Sequence, residues 1–306
     1  MAEPECSICG RRACYLRRYS GQRFCAEHFV EYFEAKVKRT MLRYRMLARG
    51  ERIGVAVSGG KDSLTLLSIL STLAPKLKLE LQAILIDEGI AGYRAETVER
   101  ARRFCSELGV PLLELSFREH TGLSLDEMVE LSRRNACTFC GVFRRRLLND
   151  AARKLGCDKL ATGHNLDDEV QAILMNYLRG DVERLLRLGV STVSKKLVPR
   201  IKPLMEMPEK EVALYALLSG IPASFEECPY AGDSFRTDVR DCINRLEEKN
   251  PGIKFSILRG YQKLLPLLGS HEAGALRRCA TCGEPSSGER CRACLLIEEL
   301  SRSASR

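Results

Sequence analysis

The stretch VAVSGGKDSL, residues 55–64, joins an apolar run to a helix-like run and decides the fold. Its paired glycines, Gly59 and Gly60, allow backbone angles closed to other residues and let N–H groups approach a ligand. A helix N-terminus adds a partial positive charge. Further hydroxyl and ammonium donors come from Ser58, Lys61 and Ser63. We call residues 58–63 the phosphate loop, because phosphate is the ligand that this turn predicts.

The common mononucleotide loop, G-x4-G-K-[ST], does not fit this turn. It would need glycine where the chain has Val55, and serine or threonine where it has Asp62. The string instead resembles the SGGxDS loop of the N-type ATP pyrophosphatases. Those enzymes cleave ATP between the α- and β-phosphates, transfer AMP to an oxygen atom and release pyrophosphate. A glycine turn without a ligand is disfavoured, because hydroxyls, lysine and strand-helix context coincide.

Apolar runs and helical patterns alternate around the phosphate loop, which is typical of a parallel sheet covered on both faces, a Rossmann-like α/β fold. The predicted strands are 52–57, 81–86, 110–116 and 158–163. The predicted helices are 61–73, 94–108, 138–155 and 166–178. From about residue 209 the pattern is mainly helical.

The chain has 14 cysteines, and those near its two ends form pairs with two-residue spacing. Each pair supplies two metal ligands from one tight turn, and two turns complete a tetrahedral zinc site. With four protein ligands, such a site is structural rather than catalytic. We name the N-terminal knuckle for Cys6, Cys9, Cys25 and His28, and the C-terminal knuckle for Cys279, Cys282, Cys291 and Cys294.

Four segments follow from these patterns. We expect a knuckle over 1–30, an ATP pyrophosphatase domain over 31–230, a helical segment over 231–272, and a second knuckle with a frayed polar tail over 273–306. The segment ATGHNLDDEV, residues 161–170, follows a predicted strand and opens a helix, so it lies at the same sheet edge as the phosphate loop.

Within that second loop, Gly163 allows close backbone approach. Asp167 and Asp168 are candidates to bind Mg²⁺ or orient a nucleophile. The alternative role for both aspartates is helix capping, which is common in a first turn.

Three further cysteines, Cys137, Cys140 and Cys228, belong to neither knuckle, and we call them the cysteine triad. Three thiolates suit an iron-sulfur cluster with one open iron, which could hold a hydrosulfide. Two alternative interpretations remain. The triad could be a third zinc site with an unidentified fourth ligand, or Cys140 and Cys228 could act as a pair of reactive thiols. The other cysteines are expected in the core: Cys14, Cys105, Cys157 and Cys242.

The composition is that of an ordinary globular protein. The chain has 306 residues, 45% hydrophobic and 29% charged, with no run long enough to span a membrane. The N-terminus lacks a secretion-signal pattern, so we expect a cytosolic protein. A net charge of +9 suits a polyanionic partner such as nucleic acid. Basic residues cluster at Arg17–Arg18, at Arg43, Arg45 and Arg49, at Arg144–Arg146, and at Lys195–Lys196 with Arg200 and Lys202.

Taken together, the knuckles and the motifs SGGKDS, IDEGIAGYR, CTFCGVFRR, TGHNLDDE, LMNYLRGD and EECPYA resemble the tRNA 2-thiouridine synthetases, TtuA and the cytosolic wobble-thiolation group. The resemblance covers nearly the whole chain. It implies ATP, Mg²⁺, a [4Fe-4S] cluster on the cysteine triad, and catalytic Asp168. It also implies ATP contacts from Ala56, Val57, Ser58, Asp62, Ile86 and Gly163. Arg144 stands where some members have an ATP-binding lysine, and it can serve as a phosphate contact but not as a neutral base.

The predicted reaction is adenylation of uridine O2 in tRNA, followed by replacement of that oxygen with sulfur. The motifs favour the wobble uridine. The resemblance also implies a ubiquitin-like thiocarboxylate as sulfur donor and a homodimer. Alternatives are the T-loop uridine, tRNA 2-thiocytidine synthesis, and a zinc-knuckle RNA-binding protein with a dead nucleotide site.

Overall fold

The computed structural model describes residues 4–132, 134–188, 197–224, 226–232, 234–267 and 277–304. The strands are β1 Tyr15–Arg17, β2 Gln22–Phe24, β3 Arg52–Val57, β4 Glu80–Asp87, β5 Leu112–Ser116, β6 Lys159–Ala161, β7 Arg200–Ile201, β8 Arg277–Arg278 and β9 Pro285–Ser286. The helices are α1 Ala26–Arg43, α2 Lys61–Leu77, α3 Arg94–Glu107, α4 Phe117–Thr121, α5 Leu125–Glu130, α6 Ala136–Lys154, α7 Leu166–Leu178, α8 Val182–Leu188, α9 Glu209–Leu218, α10 Phe235–Lys249, α11 Ile253–Leu267 and α12 Arg292–Ala304. A 3₁₀ turn covers Pro229–Ala231.

The central sheet has the order β5-β4-β3-β6-β7, and every pairing in it is parallel. The predicted parallel α/β architecture is therefore confirmed, with β7 as a short strand that the sequence patterns do not predict. The chain runs from β3 outward through β4 and β5, then returns to the other side of β3 for β6. Such a reversal opens a crevice at the carboxyl ends of β3 and β6, where open α/β sheets bind ligands.

Apolar side chains cover both faces of this sheet. On one face, α2 buries Leu66, Leu70 and Leu73, which share one side of the helix, in a core that also contains residues of α1, α3 and α9. On the other face, α6 contributes Phe139 and Phe143 to a core that includes α12. The sheet and its bounding helices thus form a rigid support for the loops at its carboxyl edge.

Helix α1 packs the N-terminal knuckle onto the sheet domain. Its buried residues Phe29, Phe33 and Val37 recur every four positions, and the ring of Phe33 stacks on Tyr215 of α9 at 4.3 Å. A buried ion pair between Arg17 of β1 and Glu211 of α9, at 3.2 Å, fixes the same interface. Because α9 begins beside the phosphate loop, the N-terminal knuckle is anchored to an element of the nucleotide site.

The C-terminal knuckle packs through α12 against α6. Helix α12 continues to Ala304, so the prediction of a frayed tail is wrong over its first four residues. Within the described residues, no helix is long and apolar enough to cross a membrane. The basic pair Lys195–Lys196 lies outside the described residues.

Candidate active site at the carboxyl edge of the sheet

The phosphate loop follows β3 and leads directly into α2. Gly59 has φ +82°, and a Cβ at this position would lie 2.0 Å from the main-chain oxygen of Thr97. Only glycine therefore fits the turn. The hydroxyls of Ser58 and Ser63 lie 3.1 Å apart, and Ser63 accepts a hydrogen bond from the N–H of Ser58 at 3.0 Å. The loop presents hydroxyls and a helix N-terminus on one side, the arrangement that binds phosphate.

Lys61 is held by carboxylates at the start of α2. Its Nζ donates to Glu209 at 2.8 Å and to Asp62 at 3.1 Å. The ammonium is mostly shielded from solvent, at 18% side-chain exposure. It is therefore a fixed positive charge at the loop, positioned by the first residue of α9.

The second loop packs directly against the first. A Cβ at Gly163 would lie 2.9 Å from the main-chain carbon of Asp62, so glycine is what lets the two loops meet. Asn165 donates through Nδ2 to Asp62 at 2.9 Å, and it forms a capping box with Asp168 at the start of α7. Asp168 thus caps its helix and also faces the phosphate loop.

Two carboxylates converge at this point. Desolvation raises the pKa of Asp62, and the charge of Asp168 adds to this effect, while Lys61 and Asn165 oppose it. Desolvation likewise raises the pKa of Asp168, an effect that Arg236, at 3.3 Å, opposes. A divalent cation between the two would relieve the cost of burying them, so their chemistry fits Mg²⁺. Asp62 and Asp168 also have cationic partners, but 27% and 28% of their side chains remain exposed. The side chain of Asp167 is only 8% exposed, and its carboxylate contacts Lys254 and accepts from the N–H of Glu209 at 2.8 Å, so it is less available to a metal.

The remaining candidate ATP contacts lie on the adjoining strands. Val57 and Ile86 are buried near the carboxyl ends of β3 and β4, and Ala56 is half-buried. The main-chain oxygen of Ile86 accepts a hydrogen bond from Arg94 at 2.6 Å. These residues lie at the carboxyl edge of the sheet, on the strand that leads into the phosphate loop and on the strand beside it.

The cysteine triad assembles from two segments. Cys137 and Cys140 lie about one turn apart at the start of α6, where Asn135 accepts from the N–H of Cys137 at 2.8 Å. Cys228 follows a segment bridged to the phosphate loop, since Ser224 pairs with Gly60. Cys137 is exposed and the other two are half-buried, so the triad opens to the surface.

The triad differs in spacing from a single-ion site. Cys140 and Cys228 lie within electrostatic reach of each other and of Cys137. They do not, however, form a group whose ligand atoms all lie within 4.8 Å, as the two knuckles do. Burial raises the pKa of Cys140 to about 11, although Arg144 partly opposes the shift. Three separated thiols fit a cluster with one cysteine on each of three irons better than they fit one zinc ion.

A buried glutamate that the sequence patterns did not single out connects the triad to the phosphate loop. Glu88 has a side-chain exposure of 4%, and its oxygens lie 2.7 Å from Nε of Arg94 and 2.6 Å from Nη2 of Arg144. Arg94 donates to the main-chain oxygen of Ser58 at 2.9 Å, and Arg144 donates to Sγ of Cys140 at 2.9 Å. A continuous chain of charged contacts therefore runs from the phosphate loop to the triad.

Each knuckle brings four donor atoms within 4.8 Å of one another. In the N-terminal knuckle, two sulfurs lie 3.9 Å apart, and sulfur-to-Nδ1 distances are 3.4 and 3.6 Å. In the C-terminal knuckle, the sulfur pairs are 3.9 and 3.6 Å apart. Tetrahedral zinc, with Zn–S near 2.3 Å, separates its sulfurs by about 3.8 Å, so both donor sets fit it.

One of the C-terminal donors, Cys279, favours the thiolate that a metal requires, whereas desolvation raises the pKa of Cys282 and of Cys294. The N–H of Cys291 donates to Sγ of Cys279 at 3.2 Å, and such backbone hydrogen bonds lower the pKa of Cys279 to about 5. Of the other cysteines, Cys105 and Cys157 are buried as expected. The prediction was wrong for Cys14 and Cys242, which are exposed.

Two family models match the chain. Residues 30–244 match a model described as a PP-loop domain. Residues 5–30 match one described as 2-thiouridine synthetase TtuA, N-terminal LIM domain. The first match covers both loops of the site and the cysteine triad, and the second covers the N-terminal knuckle.

Similar proteins match along nearly their whole length. The chain is 43% identical to a probable sulfurtransferase of Methanocaldococcus jannaschii, over 95% of this chain and 87% of the relative. It is 39% identical to the tRNA-5-methyluridine(54) 2-sulfurtransferase of Pyrococcus horikoshii, over 95% of this chain and 92% of the relative.

A solved structure, the U34-tRNA thiolase NcsA from Methanococcus maripaludis with its [4Fe-4S] cluster, superposes with a TM-score of 0.85 at 38% identity, covering 98% of this chain and 97% of that one. Both ends and the middle of the chain therefore match the same group of proteins. The chain belongs to the tRNA 2-thiouridine synthetase family of PP-loop sulfurtransferases.

Proposed function

We propose that this protein converts a tRNA uridine to 2-thiouridine, using ATP to activate the base. One observation carries the proposal: the phosphate loop and the cysteine triad lie at one sheet edge, joined by the contacts of Arg94, Glu88 and Arg144. The site proposed to adenylate uridine O2 therefore lies close to the site proposed to supply sulfur. The alternative of a dead nucleotide site is disfavoured by the intact loop geometry around Gly59 and Gly163.

The first step is adenylation. Uridine O2 attacks the α-phosphorus of ATP, the bond from that phosphorus to the bridging oxygen breaks, and pyrophosphate leaves. The phosphate loop, including Lys61, stabilises the departing pyrophosphate. Asp62 and Asp168 would hold Mg²⁺ beside the phosphates, and Asp168 lies where it can also orient the base.

The second step replaces oxygen by sulfur. A sulfur nucleophile attacks C2, the C2–O2 bond breaks, and AMP leaves. The cysteine triad would hold a [4Fe-4S] cluster, which when bound supplies an iron with an open coordination position for sulfur. Arg144 positions Cys140 through its hydrogen bond and keeps a positive charge between the thiols and the nucleotide.

We assign zinc to both knuckles, on the fit of their donor spacing to tetrahedral coordination. We also propose the segment boundaries 1–30, 31–230, 231–272 and 273–306, a cytoplasmic location, a ubiquitin-like thiocarboxylate donor and a homodimer. These last proposals rest on the family resemblance and on the cysteine content, which suits a reducing compartment.

The wobble uridine is our proposed target, on the motifs IDEGIAGYR and CTFCGVFRR. The T-loop uridine is the second candidate, because a relative with 39% identity carries that activity in its name. Anaerobically reconstituted protein, given ATP, sulfide and unmodified tRNA, should release pyrophosphate and form 2-thiouridine. Mapping the modified nucleoside to position 34 or to position 54 decides between the two targets.

Asp168→Asn should lower both products about a hundredfold or more, because it removes the carboxylate at the reacting edge. Asp241→Asn is the matched control, since Asp241 lies on α10 with 61% side-chain exposure and outside the crevice. Absence of both pyrophosphate and thiouridine from the wild-type reaction would refute the proposed function. Equal activity of the two variants would remove Asp168 from the site.

A further inference from the structure

A cavity of about 800 Å³ opens beside Asp168, and none of the phosphate-loop residues lines it. Its walls come from α6, β7, α10, α11 and the C-terminal knuckle. Cavities of this volume accommodate ligands of nucleotide size. Because Asp168 lines it, a molecule in the cavity reaches the proposed reacting edge.

Positive charge predominates in this cavity. Eight arginine and lysine side chains line it, against four carboxylates. The carboxylates have partners: Lys202 lies 2.7 Å from Glu169, and Arg236 lies 3.3 Å from Asp168. Arg146 and Arg153 contact the other two, Asp150 and Glu284.

Four of the lining arginines form no ion pair with a carboxylate among the described residues, and two of these four, Arg145 and Arg200, are adjacent. Arg145 on α6 and Arg200 on β7 are neighbours, and Nη2 of Arg200 donates to the main-chain oxygen of Arg145 at 3.2 Å. Burial and the charge of Arg145 lower the pKa of Arg200, while burial, Arg184 and Arg144 lower the pKa of Arg145. Two adjacent cations facing a cavity are a site for an anion that the protein itself does not supply.

The pKa of His164 is also affected by the positive charge in this cavity. Burial, with the charges of Lys202, Arg236 and Arg200, lowers the pKa of this cavity-lining imidazole to about 4. Its Nδ1 lies 2.9 Å from the hydroxyl of Thr162. The imidazole therefore stays neutral at pH 7 and leaves the arginines as the cations available to a ligand.

We infer that Arg145 and Arg200 bind a backbone phosphate of the substrate RNA and thereby hold the strand whose uridine reaches Asp168. The inference rests on the proposed function. Arginine pairs bind phosphate oxygens through paired N–H groups, and phosphate contacts position a strand without reading its bases. A triphosphate could use the same chemistry, but the phosphate loop with Lys61 already provides that site.

The test measures binding of an unmodified tRNA transcript, across a series of KCl concentrations, to wild type and to the double variant R145Q/R200Q. We expect the affinity for tRNA to fall about tenfold or more, because the loss of a charge-assisted hydrogen bond has an effect of that size. The slope of log affinity against log salt should flatten by about one for each phosphate that the variant no longer binds. ATP affinity without tRNA should stay unchanged.

The control R102Q/R103Q removes two charges from the exposed side of α3, outside the cavity, and should keep the wild-type slope. R145K/R200K keeps both charges and should keep most of the wild-type salt slope, and its zinc content checks that it is folded. An unchanged slope in R145Q/R200Q overturns the inference, as does a fall in ATP affinity with tRNA affinity intact. If wild type itself fails to bind tRNA, the proposed function fails instead.

Discussion

The two knuckles and the cysteine triad both consist mainly of cysteines, but the knuckles are closed sets of four donors and the triad is an open set of three. Each knuckle closes four donors within 4.8 Å, and the C-terminal one buries three of its four cysteines. The triad has three cysteines, none fully buried, and they are spaced more widely. Closed donor sets stabilise short segments that lack a large core, whereas an incomplete and open donor set leaves room for chemistry.

The difference lies in what surrounds the sulfurs. Backbone N–H groups satisfy the knuckle thiolates, as Cys291 does for Cys279. In the triad, Cys140 receives a hydrogen bond from the charged side chain of Arg144, which Glu88 ties to the phosphate loop. Local turns thus build the knuckles, while tertiary contacts build the triad. The distinction can be tested by removing sulfur from each.

Removal of a triad sulfur should have the largest effect. Cys137→Ser, Cys140→Ser and Cys228→Ser should each lower thiolation about a thousandfold or more, because three residues that act as a unit fail together. Zinc content and ATP affinity should be retained. Activity is measured as the 2-thiouridine formed in an anaerobic turnover assay, with zinc measured by elemental analysis.

Cys137→Ser separates the two chemical mechanisms for the triad. A cluster needs all three cysteines, whereas a thiol pair of Cys140 and Cys228 does not need Cys137. Substantial turnover by this variant would exclude the cluster mechanism. Cys242→Ser is the control, because Cys242 is exposed on α10 and belongs to none of these groups.

Removal of a knuckle sulfur should act on stability instead. Cys279→Ser should lose one zinc per chain and lower the free energy of unfolding by about 4 kcal/mol or more, since absence of a structural metal removes its binding energy. Denaturation monitored by circular dichroism, beside zinc analysis, measures both changes. Full zinc content together with wild-type stability would show that this knuckle is no metal site.

The smallest effect is expected at the link between the two kinds of region. Glu88→Gln keeps the shape of the side chain but removes the charge that holds Arg144 and Arg94. Thiolation should fall about tenfold to a hundredfold, the usual cost of removing an outer-shell partner of a metal site. The reduction potential of the reconstituted cluster should shift as well, because Arg144 donates to one of its ligands.

Glu99→Gln provides the control for this variant. Glu99 lies on α3 with 54% side-chain exposure and pairs only with surface arginines among the described residues. Neither thiolation nor potential should respond to it. If Glu88→Gln changes stability alone, with potential and ATP affinity as in wild type, Glu88 is a packing residue rather than a positioning one.

Much of the fold could be predicted because local patterns determine it. Strand β3 and helix α7 have the bounds that the apolar runs predict, and the paired spacing of the terminal cysteines identifies both knuckles. Strand β7, with two residues, is too short for any periodicity, and its place depends on pairing with β6. Helix α1 was missed although Phe29, Phe33 and Val37 carry a four-residue repeat that could have revealed it.

The site was harder to predict where partners are distant in sequence. The phosphate loop is one contiguous string, so its chemistry can be inferred directly. Glu88 is connected to the triad by its ion pair with Arg144, which lies 56 positions later, and no local sequence pattern predicts that contact. Similarly, Asp167 looks like a metal ligand beside Asp168, until the fold brings Lys254 against its carboxylate.

The bridge between Gly60 and Ser224 limits the distance between the phosphate loop and Cys228. Ser224 donates to the main-chain oxygen of Gly59 and accepts from the N–H of Lys61, both at 3.3 Å. Cys228 follows only four residues later, and four residues of backbone span at most about 14 Å. The third sulfur is thus tethered to the nucleotide loop by contour length alone. A displacement of that loop that keeps this bridge carries Cys228 with it to within the same distance, so the nucleotide site and the cysteine triad are coupled through one short stretch of backbone.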